Sequence, residues 1–265
     1  MRVLIVAFCA VVLVAGAFWY QLSETVVVEV ADTASEEIRA DIAQLTFSNT
    51  QTWNPDWYVY IFEPRTLVPD AVQFITIPEP PTNTSTTTQA ELALLTKYKS
   101  ERSAEKQTEI EHELEFMGVQ FGSHTYDSLV ATSSVPETAL LFTNVLDEMT
   151  TYIMIYKEHF DRVRPSYIDP TLEPTINVPN HPAYPSGHST QAHIMAHVLA
   201  DLFPEEREDL FQGAARIARN REIAGVHYPS DSAAGASLAL QYYNLLKETA
   251  WYQMQIELAR AEWTE

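Results

Sequence analysis

The chain has 265 residues, 36 acidic and 16 basic, for a formal net charge of −20. That length supports one sizeable hydrophobic core. The acidic balance excludes a broad basic surface for nucleic acid, so any anion site must be a local concentration of cations. The single cysteine, Cys9, rules out an internal disulfide.

Residues Val3 to Tyr20 are continuously apolar behind Arg2. This is the pattern of a signal peptide or a single N-terminal membrane anchor over residues 1–22. Ala15-Gly16-Ala17 offers a small-x-small cleavage site, whereas Phe18-Trp19-Tyr20 has the character of an interfacial anchor. Both readings stay open, and both imply an exported protein, periplasmic or otherwise extracytoplasmic. Further along, Thr138 to Tyr156 comes nearest to a spanning segment but is interrupted by Asn144, Asp147 and Glu148. Residues 23–265 are expected to form one domain.

Val26 to Val30 is a short β-branched stretch, and Thr33 to Phe47 has helical spacing through Ile38, Ile42 and Leu45. Gln51 to Ile77 carries Trp53, Trp57, Tyr58, Tyr60, Phe62 and Phe74 among prolines. It reads as irregular or weakly extended, its aromatics packing on a helical body rather than lining a substrate mouth. A connector rich in proline and threonine, Pro78 to Thr88, leads into one long polar helix over Gln89 to Phe116. A second long helix is expected from Pro136 to Arg162, with proline in its first turn. Ser166 to Pro185 is proline-rich and reads as loop. Helices follow from His188 to Leu202, from Pro204 to about Gly225 and from Asp231 to Trp251. The last contains Ala233, Ala234, Gly235 and Ala236, small enough for close helix approach. No β-α alternation and no repeat is present, so the fold class is all-α, a helical bundle with irregular N-terminal elements.

Three segments carry the chemistry. The first holds Lys157 and Arg164-Pro165, the second Pro185-Ser186-Gly187-His188, and the third Arg221, His227 and Asp231. Together they supply three cations, two imidazoles, one hydroxyl and one carboxylate. That set suits an anion with several oxygens: guanidinium forks, an ammonium and a glycine N–H bind it, one imidazole attacks and another carries a proton. His227 and Asp231 stand four residues apart, one helical turn, where the carboxylate can fix the ring's tautomer. Ser186 and Gly187 open a predicted helix whose N-terminus adds positive potential.

The three spacings, Lys-x6-Arg-Pro, Pro-Ser-Gly-His and Arg-x5-His-x3-Asp, resemble the signature of the type 2 phosphatidic acid phosphatase and vanadium haloperoxidase superfamily. Asn220 stands where that signature usually has serine. The proline cluster before a Glu- and Leu-rich helix, and Lys157 to Pro165, are similar to the soluble bacterial class A acid phosphatases. The resemblance implies a metal-independent phosphomonoesterase with His227 as nucleophile, His188 as general acid and Asp231 as orienting carboxylate. It assigns phosphate binding to Lys157, Arg164, Ser186, Gly187 and Arg221, with no cofactor. The stretch from His181 to His188 is similar instead to algal vanadium bromoperoxidases. That alternative implies a haloperoxidase with vanadate in the same cage and His181 beside it. As a phosphatase residue, His181 is expected to be a loop residue that tunes the pocket. The expected partner is a small phosphorylated substrate, with no nucleic acid; a single N-terminal membrane contact remains open and the oligomeric state is unassigned. His193 and His197 share a helix face at i and i+4, but no third ligand completes a metal site. His159 is expected to face solvent, and Arg162 is left without a role.

Overall fold

The computed structural model describes residues 36–114 and 119–264. The segments over 1–22 and Val26 to Val30 lie outside these. The chain divides into two compact units, Met1–Gln44 and Leu45–Glu265. In the first, residues 36–43 are helical. The helix expected to run on to Phe47 stops short, because Thr46 starts a separate turn, Phe47–Thr50, through a reciprocal capping box with Asn49.

Among its described residues, the second unit is all-α apart from one hairpin. Its longest helices are α1 (Thr86–Tyr98), α2 (Ala104–His112), α3 (Pro136–Phe160), α4 (Gly187–Leu202), α5 (Arg207–Ile223), α6 (Pro229–Leu246) and α7 (Ala250–Ala261). The hairpin pairs β1 (Gln120–Phe121) with β2 (His124–Thr125) and turns at Gly122, whose φ of +57° favours glycine.

α4 is the centre of the bundle, packed against α3, α5, α6 and α7. Its residues Ala192, Ile194, Met195, Ala196, Val198 and Leu199 are fully or almost fully buried. α6 can approach because Gly235 carries no side chain. A Cβ there would stand 2.8 Å from the Ser186 carbonyl and 2.9 Å from Thr190 Oγ1. The close approach fixes the N-terminus of α4, where Ser186, Gly187 and His188 sit. Val135 gives α3 no side-chain cap; instead the Glu262 carboxylate, beyond α7, accepts from the N–H groups of Glu137 (2.7 Å) and Thr138 (2.9 Å).

Two expected long helices are each broken. The one over Gln89 to Phe116 divides because Ser103 caps α2, its Oγ accepting from Lys106 N–H at 3.2 Å. At the break, Arg102 reaches the carbonyls of Ile223 (2.7 Å), Leu172 (3.0 Å) and Glu173 (2.8 Å). The helix expected through Trp251 stops at Leu246, and Thr249 caps a new one by accepting from Tyr252 N–H at 3.2 Å. That break turns α7 back onto α3. Gln51 to Ile77 is irregular but built of short turns, Pro55–Tyr58, Val59–Phe62 and Ala71–Gln73, rather than extended chain. It is tied to α3 by the buried Glu148 carboxylate, which accepts from Leu67 N–H (2.7 Å) and Val68 N–H (2.8 Å). Among the described residues, no helix is long and apolar enough to cross a membrane.

Candidate active site

Four helix ends converge on one cavity of about 420 Å³. Lys157 belongs to the last turn of α3 and Arg164 follows four residues after its end. Ser186, Gly187 and His188 form the start of α4, Arg221 lies in the last turn of α5, and His227 and Asp231 flank the start of α6. Gly187, His188, Arg221, His227 and His181 line the cavity wall. Lys157, Arg164, Ser186 and Asp231 stand behind it, all buried. The structure thus brings together all nine residues singled out in the three segments and at His181.

His227 is held from both sides. Its Nδ1 lies 3.0 Å from Asp231 Oδ2, and its Nε2 lies 3.0 Å from Arg164 Nη1. An ionised carboxylate only accepts and a guanidinium only donates. Nδ1 must therefore carry the proton and Nε2 the lone pair. Arg164 also donates to the carbonyls of Val226 (2.8 Å) and His181 (3.0 Å), and its Nη2 is 3.0 Å from His181 Nδ1. Lys157 Nζ donates to the carbonyl of Pro182 at 2.7 Å, bracing the same loop. Ser186 Oγ caps α4 by accepting from Ser189 N–H at 3.4 Å.

Arg221 is 1% exposed, and only its Nη2 is satisfied, by Glu113 Oε2 (2.6 Å) and the Ile110 carbonyl (2.8 Å). Its Nε and Nη1 have no hydrogen-bond partner. Orphaned buried donors on a cavity wall mark where an anion fits. His188 Nε2 faces the carbonyls of Glu113 (3.1 Å) and Leu114 (3.3 Å), which only accept, so this nitrogen bears hydrogen.

Residues 136–255 match the profile of the PAP2 superfamily. That stretch, which carries all three segments, is what links this chain to the superfamily. Its sequence is 34% identical over 80 residues to an acid phosphatase of Zymomonas mobilis, covering 30% of each chain. It is 24% identical over 148 residues to a non-specific acid phosphatase of Providencia stuartii, covering 54% of this chain and 60% of that one. The match thus spans less than two thirds of either relative. The fold is similar to that of a solved bacterial vanadium-dependent chloroperoxidase, with a TM-score of 0.60 at 14% identity over 78% of this chain and 56% of that one.

Burial sets the electrostatics of this PAP2 site. It pushes Lys157 well below the usual lysine range, with Arg164 adding to the effect. Arg164 falls to about 10 for the same reason, against the pull of Asp231. Burial and the Arg221 charge take the half-buried His188 down to about 3. His227 is pushed well below the usual histidine range by burial and by Arg164, and His181 by burial and Lys157. Burial alone would raise Asp231; Arg162, His227 and the Tyr228 N–H outweigh it and hold the carboxylate ionised. These side chains therefore set neutral imidazoles among desolvated cations, a field that favours a polyanion.

Several residues of the PAP2 site had no assigned role in the sequence. Arg162 is buried, with Nη1 2.5 Å from Asp231 Oδ1 and 2.7 Å from Ser230 Oγ, and its guanidinium lies over the Tyr228 ring at 3.9 Å. Glu91 completes the cluster, accepting from Ser230 N–H at 2.7 Å and standing 3.4 Å from Arg162 Nη2. Asn220 does more than flank Arg221. Its Nδ2 donates to Glu113 Oε1 at 2.7 Å and its Oδ1 accepts from Lys106 Nζ at 3.2 Å, so it orients the carboxylate that grips Arg221. Arg162 had a signal in its place inside the first segment. Glu91 and Glu113 had none, since glutamates on a polar helix look alike. The aromatics Trp57 and Tyr60, expected to pack on the helical body, line the cavity. His159 is exposed, as expected. His193 Nδ1 lies 2.7 Å from its own helix's Ser189 carbonyl, and His197 is stacked on Tyr243.

Proposed function

We propose that this chain is a metal-independent phosphatase that hydrolyses phosphate monoesters through a phosphohistidine on His227. The observation that carries this reading is the tautomer of His227, its lone pair on Nε2 and held by Arg164, in the cavity that Arg221, with its unpartnered N–H groups, also lines. The acid phosphatase relatives point to the same class of reaction.

In this reading the phosphoryl oxygens bind Arg221 Nε and Nη1 and the Gly187 N–H at the start of α4. Lys157 and Arg164 add positive field from behind the wall. His227 Nε2 attacks phosphorus as the ester P–O bond breaks, and the departing alkoxide takes a proton from His188. Asp231 stabilises the positive ring. Water then attacks the phosphohistidine, giving its proton to His188 and releasing inorganic phosphate. His188, depressed to about 3 by burial and the Arg221 charge, is raised when the substrate dianion offsets that charge. Losing one of the oxyanion donors typically costs about 3–4 kcal/mol of barrier.

The cage also fits vanadate, which would rest on the same donors with His227 Nε2 facing the metal, and would supply peroxide activation. The direct contact of His181 with Arg164 at 3.0 Å favours keeping this second reading. One experiment separates the two. Hydrolysis of p-nitrophenyl phosphate with labelling of the protein by phosphate, both lost in His227→Ala, supports the phosphatase. Efficient bromide oxidation by the vanadate-loaded protein with negligible ester hydrolysis reverses the assignment.

A further inference from the structure

The cavity has a second pole. Asp147 and Tyr60 line it, and Trp57, stacked on Tyr60 with ring centroids 5.8 Å apart, bridges from there to His181 at 5.9 Å. Tyr60 and Asp147 also line an adjoining depression that includes Asp56 and Glu63. Among the described residues, no lysine or arginine lines either depression apart from Arg221. The Asp147 carboxylate is exposed and has neither a hydrogen bond nor an ion pair with any described residue. Partial burial pushes it up, with no cation to pull it back.

α3 measures the distance between the poles. A Cβ on Gly187 would lie 3.8 Å from Ile153 Cγ2, so Ile153 sits beneath the phosphate end. Asp147 is six residues earlier on the same helix, about 9 Å along its axis at 1.5 Å per residue. Between them α3 presents Thr150 to the cavity, its hydroxyl accepting from Gln191 Nε2 at 3.3 Å. A ligand that fits both ends is dipolar: phosphate leading, a short spacer, and a cation trailing. A carboxylate beside stacked electron-rich rings is the chemistry that recognises an ammonium group. A second anionic group at that position would instead meet Asp147, Asp56 and Glu63.

We propose that the substrate of this site is the phosphate monoester of a short amino alcohol, its ammonium group bound by Asp147 and the Trp57–Tyr60 pair. This rests on the phosphatase reading for the phosphate end. The cationic subsite stands on separate residues and is tested separately.

The test compares phosphocholine with 3,3-dimethylbutyl phosphate, which has the same shape without the charge, and uses p-nitrophenyl phosphate as a control. The wild-type protein is expected to favour phosphocholine by about ten-fold in kcat/KM, equivalent to about 1.4 kcal/mol. Asp147→Asn removes most of that preference and leaves p-nitrophenyl phosphate turnover within about two-fold, since the side chain is exposed and outside the catalytic cluster. The preference also weakens as salt rises. Equal kcat/KM for the charged and neutral esters in the wild type, or an unchanged preference in Asp147→Asn, overturns the proposal. Failure to hydrolyse any ester, p-nitrophenyl phosphate included, overturns the phosphatase reading instead. In that event calorimetric titration with choline alone decides the subsite: binding that Asp147→Asn abolishes supports it, and no binding to the wild type refutes it.

Discussion

Replacing Arg162 with methionine tests the deepest layer of the site. Arg162 has a side-chain exposure of 3% and lies between two carboxylates, Asp231 at 2.5 Å and Glu91 at 3.4 Å. Methionine keeps much of the volume but takes from both acids the guanidinium they pair with. Removing one partner of a buried pair costs about 3–5 kcal/mol. At roughly 2–4 °C per kcal/mol for a domain of this size, the melting temperature falls by about 6–20 °C. Chemistry suffers separately. Arg162 is the strongest influence holding Asp231 down, so its loss lets burial raise that pKa. As pH falls through the raised value Asp231 protonates, ceases to accept from His227 Nδ1–H, and frees the ring to take the wrong tautomer. Loss of that control costs up to about 10⁴-fold in kcat. The assay is urea unfolding together with p-nitrophenyl phosphate turnover between pH 4 and 8. Arg162→Met is expected to lose its activity at a higher pH than the wild type on the acid side, with a lower urea midpoint. Arg162→Lys restores charge without the fork and lies between the two. The double change Arg162→Met with Asp231→Asn destabilises by less than the sum of the single changes. An Arg162→Met protein with unchanged urea midpoint and pH profile would refute this account.

Other changes probe the remaining parts. Gly235→Ala places a Cβ 2.8 Å from the Ser186 carbonyl, so α6 and the start of α4 must separate; about 1–3 kcal/mol is lost in urea unfolding, with a raised KM as the phosphate site shifts. The protein loses stability as pH falls below about 6.5, because His188 and His197 have folded values of about 3 and about 4, so the unfolded chain binds more protons in that window. Glu222, raised by burial to about 7, acts with the opposite sign: its contribution is present at low pH and is lost as pH rises through 7. Saturating phosphate offsets the acid loss, read as a shift in the urea midpoint at pH 5. EDTA leaves hydrolysis intact; loss of activity restored by a divalent ion refutes the metal-free reaction. His188→Ala slows esters of poor leaving groups more than p-nitrophenyl phosphate, and equal loss across leaving groups refutes its role as acid.

The helices and the grouping of Lys157, Arg164, His188, Arg221 and His227 were legible in the sequence because periodicity and motif spacing are local properties. Turn breaks at Ser103 and Thr249 were less so: each is one capping residue inside an otherwise helical stretch, made decisive by tertiary contacts of Arg102 and by the packing of α7 on α3. The partners that aim the chemistry were decided by the fold. Glu91 is 139 residues from Ser230, and Glu113 is 108 residues from Arg221, so neither carboxylate has a spacing that marks it. The same holds for Trp57, Tyr60 and Asp147, which share one cavity through tertiary ties such as the Glu148 carboxylate accepting from the Leu67 and Val68 N–H groups. The sequence by itself determined which groups the site holds, since their chemical identity travels with the chain. Which of them face the cavity and which stand behind it was decided by tertiary structure, through the packing of helix ends and the burial of charges among partners distant in sequence.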